Sequence, residues 1–223
     1  MHVRISYEYA YDMPRETLAM NAHDLRDLHR RAIRSCAAVV AAVRPDHLER
    51  PTPCSEWTLR QLLAHMIGHN VGFAAAALGS SDAGSFADVA LGRDAPRRFA
   101  ASAQATVAAF DGLDLDDEIY LAVVRGGTRW PASTALAFHL VDSVVHGWDV
   151  AASLDTTIAF DDDVTRTALD VARAVPDDRS RTQPGATFQP SRPTSSDDAL
   201  DQILAVLGRD PRWGRPRSGE RHD

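Results

Sequence analysis

Residues 139–149 read HLVDSVVHGWD, which sets His139, Asp142, His146 and Asp149 at spacings of three, four and three on one stripe of a helix. Leu136, Phe138, Leu140, Val141, Val144, Val145 and Trp148 cover its other faces, so the helix belongs in an interior. A buried helix does not carry unpaired imidazoles and carboxylates without cost, and something must satisfy that stripe. A divalent metal is the natural candidate, because Asp142 and His146 at i and i+4 can close on one ion from a rigid scaffold.

A chain of 223 residues can bury a sizeable core as one domain with a small appendage. The formal net charge of −7 and the lack of a dominant basic stripe argue against a nucleic-acid or anionic-membrane partner and favour small organic substrates. All 24 basic residues are arginine. The absence of lysine removes Schiff-base chemistry, pyridoxal attachment and the phosphate-loop lysine. Cys36 and Cys54 form neither a CxxC pair nor a disulfide framework, which predicts a reducing cytoplasm. The opening residues lack a continuous apolar stretch, and no run approaches the ~18 apolar residues of a membrane span. Met1, Met13 and Met20 are each possible starts.

From Asp24 to Val43 apolar residues recur at helical spacing opposite Arg26, Arg30, Arg31 and Arg34. The arginine face reads as solvated, with a dimer contact as the alternative, so the protein is expected to be a monomer or homodimer. Pro45, Pro51 and Pro53 make the next segment a connector. Thr58 and Gln61 have the capping-box pattern ahead of a second helix whose apolar surface is Leu59, Leu62, Leu63, Met66, Ile67, Phe73 and Leu78. Residues 79–94 read as an exposed loop and a candidate lid. A third helix is predicted over about Ala95 to Phe110, and a short hairpin over Ile119 to Trp130. A fourth helix follows from Pro131 to about Ser153, a fifth over about Asp162 to Ala174, and a last over about Asp197 to Leu207. The fold class is mainly α: a four-helix bundle with a short β-hairpin before the fourth helix and a C-terminal helical extension.

The second helix carries His65 and His69, also at i and i+4. Two helices thus present imidazoles inward, and one His from the second with Asp and His from the fourth would give three ligands and an open position. His69 and His139 read as readily as hydrogen-bonded core residues. Asp149 reads as a neighbour that orients an imidazole or pairs with an arginine such as Arg125 or Arg129. Trp57, Trp130 and Trp148 are expected in the core, and Cys54 as a small buried residue rather than a nucleophile. The acidic runs 114–118 and 161–163 read as solvated loop and helix-start acids. No nucleophile elbow, phosphate loop or dinucleotide fingerprint is present in a supporting context.

The segments RPTPCSEWTLRQLLAHMIGHN, TALAFHLVDSVVHGWDVAASL and DDALDQILAVLGRDPRW resemble the mycothiol-dependent maleylpyruvate isomerase metal-binding family, of the DinB/YfiT-like four-helix-bundle superfamily. The resemblance covers roughly Asp24 to Trp213. It implies a metal held by His65, Asp142 and His146, with His69 a local addition near the pocket and His139 a neighbour. The family carboxylate is often Glu, and Asp is a shorter arm. The expected division is an N-terminal extension over 1–21, a metal-binding bundle over 22–155, a helical extension over 156–214 and a tail over 215–223.

Family members that are enzymes look like thiol-dependent isomerases or S-transferases. The resemblance therefore implies a divalent metal, zinc foremost with nickel or another transition metal as alternatives, and mycothiol as thiol cosubstrate, with Arg129 a candidate contact for it. This chain ends in the shorter GRDPRW form, which argues against maleylpyruvate isomerisation itself. A thiol-independent metal hydrolase or cyclase would use His69 or Asp149 as general base. A non-catalytic metal or ligand-binding module is the third possibility.

Overall fold

The computed structural model describes residues 22–54, 57–124, 126–183 and 186–214. The extension over 1–21 with its alternative starts, Arg125 and the tail over 215–223 lie outside the described residues.

Helix α1 spans Ala22–Val40 and buries Leu25, Leu28, Ala32, Ile33, Cys36 and Val40 on the stripe that the helical spacing predicts. Helix α2, Leu59–Ala77, starts at Thr58, whose hydroxyl accepts from the Gln61 amide while the Gln61 side chain accepts from the Thr58 amide. The expected capping box is thus formed. Leu78 departs from expectation: it is the C-cap of α2 and is 78% exposed, because the helix ends before its last apolar residue can turn inward. Helix α3, Ala95–Asp111, buries Phe99, Ala103, Thr106 and Phe110 at helical spacing. Strands β1, Glu118–Leu121, and β2, Thr128–Pro131, pair antiparallel, with Gly126 and Gly127 in the left-handed region at the connection. Helix α4, Ala132–Ser153, follows directly. Helices α5, Asp162–Arg173, and α6, Ala199–Val206, follow among the described residues.

The bundle's direction follows from which half of each helix joins which apolar cluster. One cluster takes Leu25 and Leu28 of α1, Phe73 and Ala76 of α2, Phe110 of α3, and Leu136 and Leu140 of α4. The other takes Ile33 and Cys36 of α1, Leu59 and Leu63 of α2, Phe99 of α3, and Val150 of α4. So α1 and α4 run one way, and α2 and α3 the other. Val164, Ala168, Leu169, Ile203 and Leu207 bring α5 and α6 into the first cluster. Buried polar residues interrupt both clusters, among them His29, Asn70 and His139 beside residues of the first and His65 and Ser102 beside residues of the second.

Parallel α2 and α3 require a connection that returns along the bundle, which explains the length of the 79–94 segment. Most of its residues are exposed, as expected, but the segment is anchored along α2. Phe86 is buried, Ala87 packs over Gly68, the Val89 amide donates to Ala64 at 3.3 Å, and Arg60 donates to the Leu91 carbonyl at 3.2 Å. The segment descends α2 a turn at a time because Gly72 and Gly68 leave room: a Cβ would stand 2.3 Å from the Phe86 ring or 2.5 Å from the Ala87 oxygen.

The arginine face of α1 is used within the chain. Arg31 reaches Asp161 and Asp163 at 2.6 Å and Asp27 at 2.9 Å, and Arg30 reaches Asp111 at 2.7 Å. Arg26 donates to the Phe110 and Leu113 carbonyls. Among the described residues no helix is long and apolar enough to cross a membrane.

Candidate metal centre

The connector before α2 is tied to it by a bridge between Pro51 and Thr58 and by the Leu59 amide on the Arg50 carbonyl. This fixes the start of α2, and about two and three turns later His65 and His69 face inward with ring centroids 3.8 Å apart. Helix α4 brings Asp142 and His146 against them. One ligand atom from each of His65, Asp142 and His146 lies within 4.8 Å of the other two, so the three residues expected as ligands converge from two helices.

The spacing suits an ion. His146 Nε2 and Asp142 Oδ1 are 3.4 Å apart. Two ligands at the usual zinc bond lengths in a tetrahedron are about 3.3 Å apart. The second carboxylate oxygen, Oδ2, is 3.4 Å from His69 Nδ1, so Asp142 is held from both sides. His65 and His146 are almost wholly buried, whereas Asp142 keeps a fifth of its side chain exposed.

The electrostatics agree with that donor set. Burial, reinforced by His69, lowers His65 to about 4, so near neutral pH it is an uncharged imidazole with a lone pair to give. Burial opposes ionisation of Asp142, but His146 and His69 outweigh it and hold the carboxyl well below its ordinary value. Burial also opposes a charge on His146, yet Asp142, then Asp149 and Cys54, push it well above its usual value. The proton on His146 Nε2 thus supplies the positive charge that faces Asp142, and a bound cation would take that proton's place.

Asp149 is the expected neighbour of an imidazole: its Oδ2 lies 2.9 Å from His146 Nδ1. That contact holds the Nδ1 proton and leaves Nε2 for a ligand role. Among the described residues the arginine paired with Asp149 is Arg209 rather than Arg129, and Arg125 lies outside them. Arg209 from the turn after α6 donates to Asp149 Oδ2 at 3.3 Å and to Cys54 Sγ at 3.3 Å, and the Cys54 thiol donates to the same carboxylate oxygen at 3.2 Å. Arg129 lies on β2, where it donates to the Glu118 carbonyl, and Asp142 is ten residues into α4, roughly 15 Å from the helix start. Cys54, His146 and Asp149 form a second convergent donor group, but the Arg209 guanidinium already supplies its cation.

Arg209 and Cys54 are the participants that the sequence pattern does not single out. Both stand in the quoted segments, yet neither has a local spacing that points it inward. Trp57 packs half-buried against the second apolar cluster, as expected, and also lies 4.7 Å from His65 and 6.4 Å from His146 between centroids, so it borders the centre as well as the core.

His139 stands outside the ligand group. Its Nε2 is 3.0 Å from Asn70 Oδ1, and its Nδ1 is 2.8 Å from His29 Nε2. Asn70 donates to Ser102 Oγ, which donates to the Phe99 carbonyl. The amide oxygen must therefore accept from His139 Nε2, and His139 Nδ1 accepts from His29. Burial keeps both rings uncharged, His29 well below its ordinary value and His139 at about 4.

The mycothiol maleylpyruvate isomerase N-terminal domain family matches residues 29–151, more than half of the chain. Two uncharacterized proteins of Mycobacterium tuberculosis, from strains CDC 1551 / Oshkosh and ATCC 25618 / H37Rv, are each 33% identical over 184 residues, covering 81% of this chain and 95% of theirs. No solved structure matches the chain. With the helical architecture, the hairpin before α4 and this match in agreement, the chain belongs to the mycothiol maleylpyruvate isomerase N-terminal domain family.

Proposed function

We propose that the protein is a metal-dependent thiol-transfer enzyme of the mycothiol S-transferase type, with a divalent ion, zinc foremost, held by His65, Asp142 and His146. The observation that carries this reading is the convergence of two imidazoles and a carboxylate from two helices within 4.8 Å. Such an ion, when bound, lowers the pKa of a coordinated thiol and supplies a thiolate nucleophile near neutral pH. His69 holds the second oxygen of Asp142, Asp149 holds the Nδ1 proton of His146, and Arg209 keeps Asp149 a carboxylate. Trp57 stands against one side of the centre, 4.7 Å from His65 between ring centroids. The low-molecular-weight thiol that this reading requires belongs to a reducing cytoplasm, the compartment proposed for the protein.

The test is metal content of protein purified without chelator, with conjugation of mycothiol to a panel of small electrophiles. His146→Ala should lose both bound metal and conjugation. Metal-free wild type, or conjugation unchanged in His146→Ala, would overturn the reading. Metal binding without any thiol conjugation, together with a turnover lost in His69→Ala, would instead favour the thiol-independent hydrolase or cyclase with His69 as base. The contact of His69 Nδ1 with Asp142 favours a holding role for this imidazole over that one.

A further inference from the structure

The 79–94 segment descends α2 in register. Phe86 lies at Gly72, Ala87 at Gly68, Val89 at Ala64 and Leu91 at Arg60. From residue 86 to residue 91 an extended chain covers roughly 16 Å, and from residue 72 to residue 60 a helix rises roughly 18 Å. The register is therefore set by geometry. It leaves Asp88, between Ala87 and Val89, opposite His65, whose Nδ1 stands 3.4 Å from Asp88 Oδ1.

The two partners differ sharply in setting. The His65 side chain is 4% exposed, while that of Asp88 is 56% exposed. A half-exposed carboxylate adds little to folding. It can still select which ring nitrogen of a buried imidazole keeps its proton and how the ring is turned, as carboxylates behind metal-bound histidines do. Other neighbours of His65 are apolar faces or imidazoles: Trp57 at 4.7 Å, His69 at 3.8 Å and His146 at 5.4 Å between centroids. Asp142 is the other carboxylate near it, and its oxygens already face His146 and His69.

We propose that Asp88 is a positioning residue for His65, so that metal affinity and docking of the 79–94 segment on α2 are coupled. This rests on the metal-centre reading above. Lifting the segment removes the carboxylate from His65 and weakens the site; filling the site fixes His65 and holds the segment down. Because the coupling is thermodynamic, it is reciprocal. The groove left by Gly68 and Gly72 of α2 is the seat on which the segment rests.

The experiment is zinc affinity by competition with a chromogenic chelator, together with hydrogen exchange at the Val89 amide with and without zinc. Asp88→Ala should weaken zinc binding about 10- to 100-fold with an unchanged urea midpoint of the metal-free protein, and Asp88→Glu should recover part of the loss. Zinc should slow Val89 exchange in the wild type and not in Asp88→Ala. Wild-type affinity in Asp88→Ala, or Val89 exchange indifferent to zinc, overturns this proposal alone. A wild type that binds no zinc overturns the metal centre and this proposal with it.

Discussion

Asp149 Oδ2 lies 2.9 Å from His146 Nδ1 and 3.3 Å from Arg209 Nη2, so one fully buried carboxylate ties the fourth helix of the bundle to the turn that follows α6. Burial opposes its charge, but Arg209 foremost and then His146 hold its carboxyl below the ordinary value. The proton on His146 Nδ1 and the charge of Arg209 are both answered by a single side chain.

Removing that side chain should therefore have two separable effects. Asp149→Ala leaves the buried Arg209 guanidinium uncompensated and should destabilise the fold by about 3–5 kcal/mol in urea titration of the metal-free protein. Asp149→Asn keeps an oxygen for Arg209 and a smaller loss of stability, while metal affinity falls about 10- to 100-fold because His146 loses its anionic partner. Equal metal affinity in Asp149→Asn and wild type would show that the pair does not orient the imidazole.

Gly68 offers a test whose sign is opposite to the usual one. Glycine to alanine within a helix ordinarily stabilises by about 1 kcal/mol. Here the new Cβ would stand 2.5 Å from the Ala87 oxygen, a backbone atom that can move only if the segment lifts. Gly68→Ala should destabilise by about 1–3 kcal/mol and speed proteolysis between residues 80 and 92. A more stable Gly68→Ala protein would mean that the segment does not seat on α2.

The Arg31 cluster should matter less than its distances suggest. Its guanidinium is a quarter exposed, and Asp161, Asp163 and Asp27 are each more than half exposed. Screening and side-chain entropy leave such a network about 1 kcal/mol or less, so Arg31→Ala should shift the urea midpoint only slightly, and less still at high salt. A loss of several kcal/mol would point to α5 docking through these charges.

The stripe of α4 was legible because its polar residues repeat at helical spacing within an otherwise apolar run, and both caps of the argument, Thr58 and Gln61, are local. Spacing alone raised a metal without settling its ligands; the family resemblance implied His65, Asp142 and His146 as the holding set, and those three converge in the structure. Arg209 was not legible as the partner of Asp149, since sixty residues separate them and nothing local aims its side chain. The seating of residues 79–94 was hidden for another reason. Small and polar residues read as solvent-facing, and the grooves that receive Phe86 and Ala87 are glycines of a different element. Cys54 and Trp57 follow the same rule: a connector's side chains are placed by what the helices bring near them.

The buried imidazole pair of His29 and His139 makes metal-free stability depend on pH. Burial, with His139 and Arg30 adding to it, holds His29 well below its ordinary value, and burial lowers His139 to about 4. In the unfolded chain both take up protons near pH 6.5. Between about pH 6.5 and pH 4 the unfolded chain thus binds protons that the folded chain refuses, and stability rises with pH through that window. Above it the full contribution is present; below it the contribution is lost. Each imidazole adds at most about 1.4 kcal/mol per pH unit to the slope. His29→Gln tests the origin of the effect, because the glutamine amide can still donate to His139 Nδ1 but cannot titrate. Urea midpoints taken with a chelator present at about pH 7.5 and at about pH 5 should converge in this variant relative to the wild type. An unchanged slope would assign the acid sensitivity to other groups and remove His29 from the account.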